Sequence, residues 1–162
     1  AYPLSLIRLA MGCKPIRVLA HPSMDAESGV DIAMMATLFY ADGRMAQMSC
    51  AMNVANERHA VIMGTKGTLE TEYINHAGVP LASQLGLRKG TAFNVPFEEV
   101  ATPSGVAIGS GFRFCAEAFA TKVRAKDFAA MQVAEQHSLD NAVVLDALAR
   151  SAKSGTTVVV ES

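Results

Sequence analysis

Arg58-His59-Ala60-Val61-Ile62-Met63, then Gly64-Thr65-Lys66-Gly67, then Thr68-Leu69-Glu70-Thr71-Glu72-Tyr73 reads as a tight β-hairpin. The flanks alternate and are rich in β-branched residues, and the two glycines bracket a two-residue loop suited to the positive φ angles of hairpin turns. With Thr65 and Lys66 as the loop, Met63 pairs with Thr68, Ile62 faces Leu69 and His59 faces Glu72. That register predicts one apolar face and one polar face.

Upstream, the same logic finds a second hairpin. Val30 to Ala41 reads as a strand, Asp42-Gly43 as a turn, and Arg44 to Asn53 as its partner. In that partner Ala46, Met48, Cys50 and Met52 alternate with Met45, Gln47, Ser49 and Ala51, a core face and a softer one. Pro15 to His21 reads as a further strand. Before it, residues 3 to 11 are expected to be helical, with Pro3 in the first turn and Gly12 just past the end. Leu4, Leu6, Ile7, Leu9, Ala10 and Met11 surround that axis, which predicts a helix covered on most sides by a domain junction.

Downstream, Ile74 to Gly90 reads as a loop, and Thr91 to Ala101 as an edge strand because Pro96 cannot donate to an inner ladder. Phe112, Cys115, Ala116, Phe119 and Val123 recur at helical spacing behind a possible N-cap at Ser110, which predicts a helix lying on the sheet. A short helix over Asp127 to Glu135 and a last helix from Ser138 follow, the latter with Val144, Leu145, Leu148 and Ala152 as its stripe and an Asp146/Arg150 pair opposite. Gly155 ends it, and Thr156 to Glu161 is a β-branched run that returns to the sheet. The expected fold class is α+β, an open, mainly antiparallel β-sheet with helices packed on one face.

At 162 residues with 51% hydrophobic content, the chain reads as a single domain with a sizeable core. A net charge of −1 with scattered basic residues predicts no nucleic acid partner, and no apolar run is long enough to predict a membrane partner. Three distant cysteines, Cys13, Cys50 and Cys115, suggest neither a disulfide framework nor zinc, and the expected location is cytoplasmic. His21 and His137 have no ligand-like spacing, so no metal is proposed. The first residue is Ala1 and not an initiator methionine, which predicts a piece of a longer protein.

The string from Arg58 to Glu70 resembles the β-sheet domain of the glucose-fructose oxidoreductase / inositol dehydrogenase / rhizopine-catabolism (Gfo/Idh/MocA) family. Four further segments match in order: Tyr2 to Leu9, Ala36-Thr37-Leu38 with Ala41-Asp42-Gly43-Arg44, Met52-Asn53, and Ser138 to Ala142. The resemblance implies the C-terminal substrate-binding and oligomerisation domain of an NAD(P)-dependent oxidoreductase. The parent would move a hydride between NAD or NADP and a sugar, cyclitol or related hydroxy compound, and would form a homo-oligomer through an open sheet face. It also implies an N-terminal Rossmann domain that this sequence lacks, so that the chain alone binds no coenzyme and is inactive. The rival reading is a stand-alone, non-catalytic dimerisation or ligand-binding module.

By the same resemblance Tyr2 matches the His or Tyr that exchanges a proton with the substrate hydroxyl. The family's preceding Asp falls before Ala1, and its Glu-Lys-Pro lysine has no counterpart, since Cys13-Lys14-Pro15 follows the helix. A phenol with a reference pKa of about 10 needs a nearby cation to serve as a base. The competing account of Tyr2 is a ring packed on the next domain. Asn75 and His76, at the start of an irregular loop, are candidates to line a substrate pocket, against a solvated loop. Gly109-Ser110-Gly111 reads as a flexible cap before an anion site, and His59 as a cross-strand partner of Glu72 before a substrate polariser. Met34, Met35, Met45 and Met48 on an open sheet face suit an adaptable interface, against core filling.

Overall fold

The structure is a computed structural model that describes residues 2–55, 58–72, 85–92, 95–96, 98–99 and 110–161. In chain order the elements are α1 (Tyr2–Met11), β1 (Arg17–Met24), β2 (Asp31–Phe39), β3 (Met45–Ala51), β4 (His59–Gly64), β5 (Gly67–Glu72), β6 (Leu85–Lys89), β7 (Glu98–Glu99), α2 (Gly111–Arg124), α3 (Phe128–Ser154) and β8 (Val158–Val159). They form two compact units, Ala1–Ala55 with Ala129–Ser162, and Asn56–Phe128. Both sheets are open and antiparallel, as the sequence predicts.

The first unit holds a sheet in the order β3-β2-β1-β8. Alternation along each strand sends Val18, Ala20, Ala36, Leu38 and Tyr40 to one side, where they form a buried core with Leu4 of α1 and Val144, Ala147 and Leu148 of α3. The helices α1 and α3 therefore cover one face. Across the other face run Arg17 with Phe39 and Met45, and Met35 with Ser49. Met35 and Met45 are 68% and 64% exposed, whereas Met34 and Met48 pack against the core. Only two of those four methionines thus lie on the open face, because a one-residue step reverses the side of a strand.

The turn between β2 and β3 follows its sequence. Gly43 takes φ 85, the Arg44 amide donates to Asp42 Oδ1 at 3.1 Å, and the Arg44 guanidinium pairs with Asp42 at 2.7 Å. This bonding holds the Asp42 carboxyl below its ordinary pKa. Gly12, at φ 74, ends α1 by donating to the Arg8 carbonyl at 2.8 Å, and Gly155, at φ 68, ends α3 in the same way on Ser151.

Two helical expectations are corrected. No break separates a short helix from a last one; α3 runs unbroken for 27 residues, and the Ser138 hydroxyl donates back to the Ala134 carbonyl at 3.0 Å in place of capping a start. Its buried stripe is Val144, Ala147, Leu148 and Ser151, with Leu145 38% exposed. α1 sinks Leu4 fully into the core, with Ile7 and Met11 packed against it, while Leu9 is 80% exposed.

The second unit holds a sheet in the order β4-β5-β6-β7. Met63 pairs with Thr68, Ile62 with Leu69 and His59 with Glu72, the register read from the sequence. Thr65 and Lys66 do not take positive φ; that conformation falls on Gly67, at φ 155. Leu85–Lys89 is a strand and not part of a loop: Leu87 lies opposite Leu69, a pairing that outweighs the weak strand signal of Gly86. The described part of the expected edge strand is Glu98–Glu99, just after Pro96, on β6 at the sheet margin. α2 buries none of its residues, which departs from a helix lying on the sheet, and Phe119 is 61% exposed.

Candidate functional site

Tyr2 opens α1, one residue before Pro3, and is 51% exposed. The helix beneath it is tied down further along: Leu4 is fully buried in the core, and Arg8 reaches α3. Arg8 Nη2 meets Asp140 at 2.9 Å, and Nη1 donates to the His137 carbonyl at 2.6 Å and to Asn141 Oδ1 at 2.9 Å. A phenol at the open end of an anchored helix can both donate and accept a proton or hydrogen bond.

The structure brings Tyr2, Ser5 and Arg8 onto one helix and ties that helix to His137, Asp140 and Asn141. Asn75 and His76 lie outside the described residues, as does Gly109. Ser110 stands at the N-cap of α2 with φ −71 and ψ 122, yet its side chain makes no capping bond. His59 bonds the carboxylate of Glu70. His59 also stands opposite Glu72, its expected cross-strand partner, and the right-handed twist of the paired strands brings the diagonal Glu70 carboxylate within reach.

Among the described residues no group of three or more His, Cys, Asp or Glu is arranged to hold a metal, and no helix is long and apolar enough to cross a membrane. Cys13, Cys50 and Cys115 are free and exposed. His21 is exposed on the open face beside Met35, its strand partner, and His137 contributes a backbone carbonyl to Arg8.

Arg8, Asp140 and Asn141 have no role in the sequence pattern, although all three lie within the segments that carry the family resemblance. The missed relation spans 132 residues from Arg8 to Asp140, so no local pattern contains it. The signal in the sequence is one charged residue on a mostly apolar helix.

Comparison with known proteins bears on the whole chain. The family model described as the GFO/IDH/MocA C-terminal domain matches residues 1–70. A curated relative, the uncharacterized oxidoreductase ORF334 of Rhizobium meliloti, is 25% identical over 154 residues, which is 95% of this chain and 45% of that protein. Among solved structures, aldose-aldose oxidoreductase from Caulobacter crescentus complexed with glycerol superposes with a TM-score of 0.75 at 20% identity, over 98% of this chain and 45% of that one. Levoglucosan dehydrogenase in complex with NADH and levoglucosan gives 0.67 at 19% identity, over 98% and 48%. These superpositions show the fold, and the chain spans a little under half the length of each of these proteins. The likeness to that family is thus a family-model match over residues 1–70, which is less than half of the chain, together with a shared fold.

Proposed function

We propose that this chain is the substrate-binding and oligomerisation half of an NAD(P)-dependent oxidoreductase that moves a hydride to or from a sugar, cyclitol or related hydroxy compound. One observation carries the reading: Tyr2, which matches the family's proton-exchanging position, stands half-exposed at the open end of a helix whose other side is fixed in the core. Similar folds in an aldose-aldose oxidoreductase and in a levoglucosan dehydrogenase holding NADH support it.

Among the described residues no strand turns through a glycine-rich loop into a helix N-terminus. NAD or NADP, the hydride carrier, belongs in this reading to a Rossmann half preceding the domain. This chain's own part is to grip the reactant and handle the proton. As the substrate alcohol is oxidised, its hydroxyl proton passes to Tyr2 in its phenolate form, which a cation of the preceding half would favour; in the reverse direction the phenol returns the proton. Asn75 and His76 are assigned to the substrate wall. Free cysteines fit a cytoplasmic setting.

Self-association is assigned to the open face of the first sheet, where Met35, Met45 and Val159 are each more than half exposed. Met35→Glu then shifts the whole protein to smaller species in sedimentation, and unchanged sedimentation ends this part of the reading.

The direct experiment supplies the whole protein carrying these residues with NAD or NADP and a panel of aldoses and cyclitols, and follows coenzyme reduction. Turnover of a member of the panel supports the reading. Folded protein that self-associates through Met35 but reduces neither coenzyme favours the second reading, a non-catalytic dimerisation or ligand-binding module.

A further inference from the structure

Arg8 is nine-tenths buried, its side chain 10% exposed, and its guanidinium forks onto α3. Nη1 donates to the His137 carbonyl and Asn141 Oδ1, and Nη2 to Asp140 Oδ2, at 2.6, 2.9 and 2.9 Å. Both acceptor side chains are themselves held: Gln136 Nε2 donates to the other Asp140 oxygen at 2.9 Å, and Asn141 Nδ2 donates to Ser5 Oγ of α1 at 3.2 Å. Asn141 thus receives a bond from Arg8 and returns one to Ser5. Two points of α1, three residues apart and so on one helix face, are fixed to one stretch of α3.

Apolar burial alone does not fix a helix in this way. Leu4 in the core resists lifting of α1 but permits small rotations and slides, because hydrophobic attraction is non-directional. A planar guanidinium with three directed bonds removes that freedom. Tyr2 sits three residues before Ser5 on the same face, so a displacement of the helix passes straight to the phenol. In reacting systems a shift of about 1 Å costs on the order of a hundredfold in rate.

We infer that Arg8, seated on Asp140 and Asn141, is a positioning residue that sets the rotation and height of α1 and so places the Tyr2 phenol against the substrate. The inference rests on the role given to Tyr2 above. It adds a second determinant remote from the reacting atoms, and it implies that Asp140 acts through Arg8.

The test compares Arg8→Met, Arg8→Lys and Tyr2→Phe in the whole protein. Arg8→Met lowers kcat about tenfold or more while KM for the coenzyme stays within about threefold, and Arg8→Lys, which keeps the charge but not the fork, recovers part of the loss. In Arg8→Met the amides of residues 2–11 exchange faster by about tenfold, while β1 and β2 keep their protection. Arg8→Met with full kcat beside a crippled Tyr2→Phe ends this inference and leaves the role of Tyr2 standing. A fully active Tyr2→Phe ends the role of Tyr2, and this inference with it. Loss of protection throughout β1 and β2 in both Arg8 variants makes the residue a general support of the fold and also overturns the inference.

Discussion

The hydroxyl of Ser151 stands in the place of a missing rung between β1 and β8. Extending the pairing of Arg17 with Val159 and Val18 with Val158 by two residues sets Ala20 against Thr156, where the short strand β8 has already ended. There the Ala20 amide donates to Ser151 Oγ at 2.9 Å, and Ser151 Oγ donates to the Thr156 carbonyl at 2.6 Å. A side chain of α3 thereby completes the ladder and locks the helix to the sheet.

Ser151 is fully buried, so Ser151→Ala removes both bonds with almost no change of volume. Leaving the Ala20 amide and the Thr156 carbonyl without partners costs about 1–3 kcal/mol. Urea denaturation measures it, and an unchanged midpoint contradicts the assignment of a rung to this hydroxyl.

Gly67 makes a comparable demand on the second sheet. A Cβ built on it stands 2.3 Å from the Arg88 carbonyl oxygen, and its φ of 155 is one that other residues rarely adopt. Since the obstacle is backbone, the strands must separate. Gly67→Ala is expected to cost about 2 kcal/mol or more. Amide exchange reads the effect as faster exchange in β5 and β6, with β1 and β2 unaffected.

Tyr40 carries a stability term with a definite pH window. Its ring is 4% exposed, the Arg44 guanidinium lies 5.6 Å from its centroid, and its hydroxyl has no hydrogen-bond partner among the described residues. Burial, the largest cause, raises its pKa from 10.0 to about 12. The folded state therefore keeps the proton that the unfolded state releases, and stability is lost as pH rises from 10 toward 12, by about 2 kcal/mol in all. Tyr40→Phe abolishes that component of the alkaline loss. Near neutrality it is neutral or slightly stabilising, since the hydroxyl it removes is buried without compensation. Parallel urea titrations at pH 9 and pH 11 compare the two proteins, and an identical alkaline loss in both contradicts the account.

What the sequence discloses and what it hides separate by distance along the chain. The register of Met63 with Thr68 and the turn at Asp42-Gly43 are local, because glycine and alternation write them into neighbouring residues. The Asp146/Arg150 pair is local too, one helical turn apart, and forms at 2.8 Å. Leu85–Lys89 is a strand only because β5 and β7 flank it, and Gly86 masks its pattern. Gln136-His137-Ser138 resembles a helix boundary in sequence, yet the clamp of Arg8 and the core beneath Val144 lie on one unbroken helix. Ser151 looks like a polar surface residue until β8 is seen to stop short. For the candidate site, family resemblance finds Tyr2, whereas Arg8 with Asp140 emerges only from tertiary contact.

The central claim is that Tyr2 exchanges a proton with the substrate. Its most direct test is steady-state turnover by Tyr2→Phe in the whole protein, with NAD or NADP and the best substrate of the panel. Loss of the proton-exchanging phenol lowers kcat by about 10²- to 10⁴-fold, while coenzyme binding persists. A Tyr2→Phe protein that turns over within about twofold of the parent contradicts the account.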